Sequence, residues 1–327
     1  MINLIQKRLA MLSARQRWGL AGVVLIGMLT VPQISTNLFL MNTFIYAFIF
    51  IGLGQSWNVI GGYAGQFSLG HAVMFAVGAY ATAILFIRHG VTPYAGIFLA
   101  GFVAMGVGLV LGAATFGLRY HYFAMATLAA ALIGKTVGFR WEYINGASGI
   151  EYPFAQLGAP WSMMFRDKLP YYYIIGVVAL VTTLLIYRMD RSKLGMYLRA
   201  IDMDQGLARN TGLDVFRYKM YAMGVSSYIA GVFGGLYAQY VLYIDPMSTL
   251  RVLRNIDILI IPIIGGVGTV LGPIVGAFIF IPVREYTRTG LSGGYTGLGW
   301  VMVGVVIVLI SIYRPGGILN QYFGRWD

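Results

Sequence analysis

Long apolar stretches separated by short polar segments dominate this chain. No Asp, Glu, Lys or Arg occurs between Trp18 and Phe86, and Arg88 is the next charged residue. That stretch of roughly 70 residues exceeds two bilayer crossings of about 20 residues each. Because lipid offers the backbone no hydrogen-bond partners, so long an apolar stretch must be helical. We therefore predict an all-α polytopic membrane protein.

Charge-poor stretches predict about ten transmembrane helices, some of them short or broken by glycine. The predicted spans are residues 18–37, 39–60, 68–87, 93–117, 119–138, 171–187, 220–243, 252–265, 272–286 and 298–313. Residues 258–283 are uncharged and are long enough for one helix, but the glycines between Gly265 and Gly272 favour two. Glycine pairs four residues apart, such as Gly108/Gly112 and Gly231/Gly235, predict close helix packing.

The charge distribution predicts the orientation of a single membrane domain, residues 1–327. The net charge is +12, and its basic residues cluster in short loops, which argues against nucleic-acid binding. The basic N-terminus 1–17 and the polar segment 188–219 are predicted to be cytoplasmic, with six predicted helices between them. Segment 139–170 is then external, and the C-terminus is cytoplasmic. The apolar residues after the basic N-terminus are interpreted as a retained first helix, because no small-residue cleavage site follows.

Several chemistries find no support in the sequence. The chain has no cysteine, its acidic residues are expected in or near loops, and neither a catalytic nor a metal site is predicted. Gly134–Thr136 resembles the end of a phosphate-binding loop, but Ala129 stands where that motif needs glycine. Gly146–Gly149 matches the nucleophile motif of rhomboid proteases by letter, yet all three histidines precede Ser148.

Two glycine-rich elements, Gly61–Gly70 and Gly265–Pro273, interrupt the apolar pattern, one in each half of the chain. Unwound backbone at membrane depth is tolerated only against protein or water, so paired elements indicate a translocation path. The predicted path residues are Gly65, Gln66, Ser68, His71, Gly265, Gly266, Gly268 and Thr269. The alternative is two tight turns that only permit packing, with His71 either orienting its turn or bonded in the core. Lys135, the one charge deep in a predicted span, either lines the path or extends to the interface.

The first element also carries a family resemblance. The stretch GGYAGQFSLGHA at 61–72, continued by GAY at 78–80, resembles the signature of LivM-type permeases, the membrane subunits of branched-chain amino-acid ABC importers. Further similar blocks occur in order at 122–129, 145–150, 199–219, 265–277 and 313–319. The resemblance extends over about residues 40 to 319, and only the first block is specific alone.

The resemblance implies a bacterial inner-membrane complex. Its partners would be membrane lipid, a second homologous permease, two cytoplasmic ATPases that bind the ATP, and a periplasmic binding protein. It also implies an ATPase-coupling segment at 199–219, with Arg199, Asp204, Arg209 and Gly212 as coupling residues. A short helix around Asp202–Thr211 is predicted to end at Gly212. Arg209 departs from the Glu often found there, which leaves the ATPase partner open.

The solute is not determined by the sequence. Branched-chain amino acids, other amino acids, amides or urea, and aromatic acids all remain open, because the binding protein sets much of the selectivity in such systems. The competing function is a stand-alone secondary carrier for a small neutral or zwitterionic solute. Such a carrier usually places carboxylates inside the membrane.

Overall fold

The computed structural model of the chain describes residues 37–118, 121–153 and 157–290, together with 304, 305, 308, 312 and 316–319. The predicted basic N-terminus 1–17 lies outside these residues. The predicted helices 18–37 and 298–313 also lie outside them, apart from the few positions just given.

The described residues form eleven α-helices. They are α1 Leu38–Asn58, α2 His71–His89, α3 Pro93–Thr115, α4 His121–Arg140, α5 Leu169–Asp190, α6 Lys193–Met203, α7 Gln205–Asn210, α8 Val215–Val241, α9 Pro246–Thr249, α10 Val252–Gly265 and α11 Gly272–Gly290. A π-helical turn, Val59–Tyr63, continues α1, and short 3₁₀ turns occur at Glu142–Ile144, Gly146–Ser148 and Pro160–Ser162. Two short strands, β1 Ile150–Glu151 and β2 Tyr243–Ile244, pair antiparallel.

Five helices in the described part of the chain are long and apolar enough to cross a membrane: α1 with its π turn, and α2 to α5. The all-α prediction is confirmed, whereas several predicted boundaries were wrong by a few residues. Segment 188–219 is mostly helical and contains α6 and α7. Gly195, Leu198 and Ile201 are buried on one face of α6, so this charged segment folds as an amphipathic helix.

Helix α8 packs against α2 and α3 in the core of the bundle. A Cβ atom at Gly78 of α2 would overlap the carbonyl oxygen of Gly231 in α8, and one at Gly108 of α3 would overlap the Ser227 hydroxyl. Small residues therefore let these three backbones approach closely, which confirms the packing role predicted for Gly108 and Gly231.

The helices α1 to α5 alternate in direction, so the connections fall at two opposite ends of the bundle. One end carries segment 141–168, where β1 pairs with β2. The other end carries segment 191–214 and the turn after α1, which meet where a Cβ at Gly65 would overlap the Asp202 carboxylate. Segments 139–170 and 188–219 thus lie at opposite ends of the bundle, and the membrane side that each faces stays a prediction.

Candidate translocation site

The two glycine-rich elements, far apart in sequence, lie against each other. We call this contact between Gly61–Gly70 and Gly265–Gly272 the glycine junction. Asn58, at the end of α1, donates from Nδ2 to the carbonyl oxygen of Thr269 at 2.9 Å. Its Oδ1 accepts from the backbone N–H of Gly268 at 2.8 Å. One amide side chain therefore satisfies a donor and an acceptor of the second element.

Two glycines allow this close approach. A Cβ at Gly62 would lie 2.6 Å from the backbone nitrogen of Gly268 and would overlap the Asn58 amide. Gly268 has φ of 74°, a conformation that other residues adopt at a cost. The hydrogen bonds between the Asn58 amide and the backbone of the second element thus depend on the absence of side chains at these positions.

The structure brings the predicted path residues to one region, although several are deeply buried. Gln66, Ser68 and His71 are 2%, 1% and 1% exposed. Gly265 and Gly266 are buried, whereas Gly65, Gly268 and Thr269 are half-buried. The Thr269 hydroxyl donates to the Gly266 carbonyl oxygen at 2.8 Å and accepts from the Gly272 N–H at 3.0 Å. These contacts are internal to the chain and support the packing role of the junction; its role in lining a route stays a prediction.

His71 connects the first glycine element to the core. Its Nδ1 lies 3.1 Å from the Ser68 hydroxyl, and its Nε2 lies 2.9 Å from the Ser226 hydroxyl of α8. The indole N–H of Trp57 donates to the Ser68 carbonyl oxygen at 2.8 Å. Ser68 is therefore held from two sides, and this geometry suits a histidine that orients the turn before α2.

The predicted coupling segment contains a helix break. Asp204 is extended, and its carboxylate accepts from the N–H groups of Gly206 and Leu207, so it caps α7 at its N-terminus. The predicted helix around Asp202–Thr211 is thus divided at Asp204, because a capping residue cannot continue the preceding helix. Gly212 follows α7 with φ of 85°, in accord with the predicted helix end.

The four predicted coupling residues occupy different surroundings. Arg199 forms an ion pair with Asp190 at the end of α5, and its guanidinium lies 5.6 Å from the ring centre of Tyr63. Arg209 and Gly212 are exposed. Arg199 therefore joins α6 to α5 and to the π turn, whereas Arg209 and Gly212 form part of an outer surface.

Sequence reasoning missed a group of buried charges. The expectation that acidic residues lie in or near loops is wrong for Asp257 in α10, which is 1% exposed. Its Oδ2 lies 3.4 Å from Arg251 and 3.5 Å from Arg284 of α11. Arg254, 4% exposed, lies beside them on α10. We call Arg251, Arg254, Asp257 and Arg284 the arginine cluster.

One signal in the sequence indicated this cluster. Arg251, Arg254 and Asp257 are spaced three residues apart, which places them along one side of a helix. Arg254 and Asp257 also lie inside the predicted span 252–265, so Lys135 was not the only charge deep in a predicted span. In the structure Lys135 is half-buried and lies 5.8 Å from the ring centre of Phe139.

The described residues, with five helices long and apolar enough to cross a membrane, are those of a polytopic membrane protein. The chain matches the family described as the permease component of the branched-chain amino acid transport system, over residues 39–311. It belongs to that family.

Individual relatives agree. The chain is 27% identical to the high-affinity branched-chain amino acid transport system permease protein LivM of Salmonella typhimurium, over 83% of this chain and 68% of that one. It is 26% identical to the probable branched-chain amino acid transport permease protein LivH of Methanocaldococcus jannaschii, over 86% of this chain and 90% of that one. A fructose import permease protein, FruF of Bifidobacterium longum, is 24% identical over 73% of this chain and 68% of that one. These relatives are transport permease components rather than enzymes.

Proposed function

We propose that this chain is one of two permease subunits of an ABC importer for branched-chain or related amino acids. A periplasmic binding protein would deliver the solute at the end that carries segment 139–170. Two ATPases would bind ATP and dock at the opposite end, on α6 and α7, in a bacterial inner membrane. The family match over residues 39–311 carries this proposal.

The geometry of α6 and α7 supports the docking step. Met203 and Leu207 are 80% and 63% exposed, on either side of the break at Asp204. Exposed apolar residues beside the charged Arg209 suit a protein partner better than bulk water. Arg199 links this surface to Tyr63 in the turn after α1, so movement of a docked ATPase would reach the glycine junction.

Reconstitution tests the proposal. The chain in liposomes with its second permease, the ATPases and the binding protein should take up L-leucine, or another amino acid that the binding protein retains, only with ATP. The chain alone should neither take up solute nor hydrolyse ATP. Uptake by the chain alone would instead establish a secondary carrier.

Gly212→Val tests coupling within the same assay. Because φ at Gly212 is positive and a Cβ there meets nothing within 4 Å, valine should distort the end of α7 without a clash. We expect the complex to assemble, but solute should no longer stimulate ATP hydrolysis. Gly117→Val is the matched control, because Gly117 is also exposed at this end and also has open space. Normal stimulation of ATP hydrolysis in Gly212→Val would show that the docking site lies elsewhere.

Cysteine labelling tests the orientation, since the chain has no native cysteine. Ser148→Cys should react with an impermeant reagent added from outside, and Ser192→Cys should not. The reverse pattern would invert the proposed topology.

We further propose that the glycine junction lines the route, with Gln66, Ser68 and Thr269 as neutral polar groups. Neutral polar groups in this part of the route suit the passage of a zwitterion, because they hold neither of its charged ends. Gly65→Leu and Gly268→Leu should then abolish transport per folded complex. A normal rate per folded complex with a lowered melting temperature would leave only the packing role.

A further inference from the structure

The arginine cluster lies at mid-depth in the bundle. The Arg254 guanidinium lies 5.8 Å from the ring centre of Phe50, 5.4 Å from that of Phe75 and 5.1 Å from that of Tyr237. Phe50 is roughly 18 Å along α1 from its first residue, at 1.5 Å per residue. Helix α10 therefore begins inside the bundle, the arrangement that broken helices use to form solute sites in membrane carriers.

The cluster carries more positive than negative charge. Asp257 is shared by Arg251 and Arg284, whereas Arg254 has no carboxylate within 4 Å among the residues that the structure describes. Arg254, 4% exposed, is therefore a buried positive charge without an adjacent counter-charge among the described residues, which is costly in a low-dielectric interior.

The hydrogen bonds at Arg254 show the same excess of donors. Its Nη2 donates to the Ser248 carbonyl oxygen at 3.1 Å and to the Tyr237 hydroxyl at 3.4 Å. Its Nε is buried and has no acceptor among the described residues. The Nδ2 atom of Asn255 is also buried without an acceptor among them. Asn255 is 2% exposed, and its Oδ1 accepts from the Ala72 N–H at 2.7 Å. Arg254 and Asn255, neighbours in the sequence of α10, therefore each have a buried donor without an acceptor among the described residues.

We propose that Arg254 and Asn255 bind the carboxylate of the transported solute, an amino acid with an apolar side chain. A guanidinium and an amide N–H supply charge-assisted hydrogen bonds to a carboxylate, and one unmatched positive charge fits a single carboxylate. The aromatic rings around Arg254 exclude water and strengthen such bonds. This inference rests on the proposed importer function and names the group of the solute that the chain recognises.

The start of α10 lies near the surface of the chain. Leu253 and Ile256 are 42% and 38% exposed, and the Arg251 side chain is 33% exposed. Arg251, just before α10, contacts Asp257, so the cluster reaches the surface of the chain at this point.

Direct binding tests the site without interference from the binding protein. The complex of this chain with its second permease and ATPases, in lipid nanodiscs, is titrated with radiolabelled L-leucine. In the wild-type complex, 4-methylpentanoate, which keeps the carboxylate and lacks the ammonium group, should displace L-leucine. L-Leucinamide, which lacks the carboxylate, and chloride should displace it at least tenfold less well. Absence of saturable binding, or equal displacement by leucinamide or chloride, would overturn the proposal.

Variants then assign the carboxylate contact to Arg254. Arg254→Gln should raise the Kd for L-leucine about 10- to 100-fold, the effect of losing a charge-assisted hydrogen bond. Arg140→Gln removes an exposed positive charge at the end of α4 and should leave the Kd within about twofold. If Arg254→Gln does not fold, Arg254→Lys is measured instead, and should weaken binding because an ammonium loses the two-pronged geometry. A wild-type Kd in a folded Arg254 variant would overturn the assignment.

ATP-driven uptake separates this inference from the importer function. Uptake by the wild-type complex with unchanged L-leucine binding in the Arg254 variants would reject the site and keep the importer. L-Leucine binding that depends on Arg254, without ATP-driven uptake by any reconstituted wild-type complex, would keep the site and reject the importer.

Discussion

The glycine junction and the arginine cluster are both buried polar regions where helices are interrupted, yet they are built in opposite ways. In the junction, glycines let the two backbones approach, and the backbone groups of Gly268 and Thr269 are bonded to the single amide of Asn58. In the cluster, three arginine side chains lie close to one aspartate, and Asp257 contacts two of them, Arg251 and Arg284. The junction carries no charged residue, and Asn58 pairs with its backbone, whereas the cluster holds three arginines and one aspartate.

This difference has an energetic consequence. A neutral hydrogen bond contributes about 1 kcal/mol net, and its loss costs about 1–3 kcal/mol when the remaining partner is buried. A buried charge that loses its partner costs about 3–5 kcal/mol. Substitutions in the cluster should therefore be more damaging than substitutions in the junction, in the order that follows.

Asp257→Asn should have the largest effect. It removes the carboxylate that contacts both Arg251 and Arg284, and should lower the free energy of unfolding by about 4 kcal/mol. The measurement is unfolding of the purified chain in mixed micelles by SDS. Asp167→Asn, at an exposed position, is the control and should change the free energy by less than about 0.5 kcal/mol. Equal small effects would mean that the Asp257 ion pairs do not stabilise the chain.

Gly62→Leu should have the second largest effect and lower the free energy of unfolding by about 3 kcal/mol. A side chain at this position overlaps the Asn58 amide and the backbone of Gly268. Gly106→Leu is the matched control, since a Cβ at Gly106 meets nothing within 4 Å. The same SDS titration gives both values. If Gly62→Leu were as stable as Gly106→Leu, the two glycine elements would not be in contact.

Asn58→Ala tests the hydrogen bonds of the junction without adding volume. The Gly268 N–H and the Thr269 carbonyl oxygen would lose their partner, which should cost about 2 kcal/mol. Asn210→Ala, at an exposed position in α7, should have little effect. A loss larger than that of Asp257→Asn would reverse the comparison between the two regions.

Gly268→Ala should have the smallest effect and lower the free energy of unfolding by about 1 kcal/mol, because alanine is strained at positive φ. The added Cβ would lie 3.1 Å from the Gly62 carbonyl oxygen, a tight contact that a small shift relieves. Gly106→Ala, in a helix with open space, should not destabilise the chain. A gain in stability in Gly268→Ala would contradict the backbone conformation of the junction.

Local sequence pattern was sufficient for the helical membrane class and for both glycine elements. A charge-free stretch of this length permits only helices in lipid, and glycine at positions such as Gly62 and Gly268 marks places where backbones approach. The break after α10 and the end of α7 at Gly212 were predictable for the same reason, because glycine acts on the backbone at its own position.

Tertiary structure alone decided which polar groups meet. Asn58 and Gly268 are distant in sequence, as are Asp257 and Arg284, so no local pattern connects them. Charge also misled at one place: Asp257, expected in or near a loop, is buried in α10, where Arg251 and Arg284 contact it. The sequence determines which residues carry charge or lack a side chain, but burial depends on the packing of separate helices, which a linear pattern does not contain.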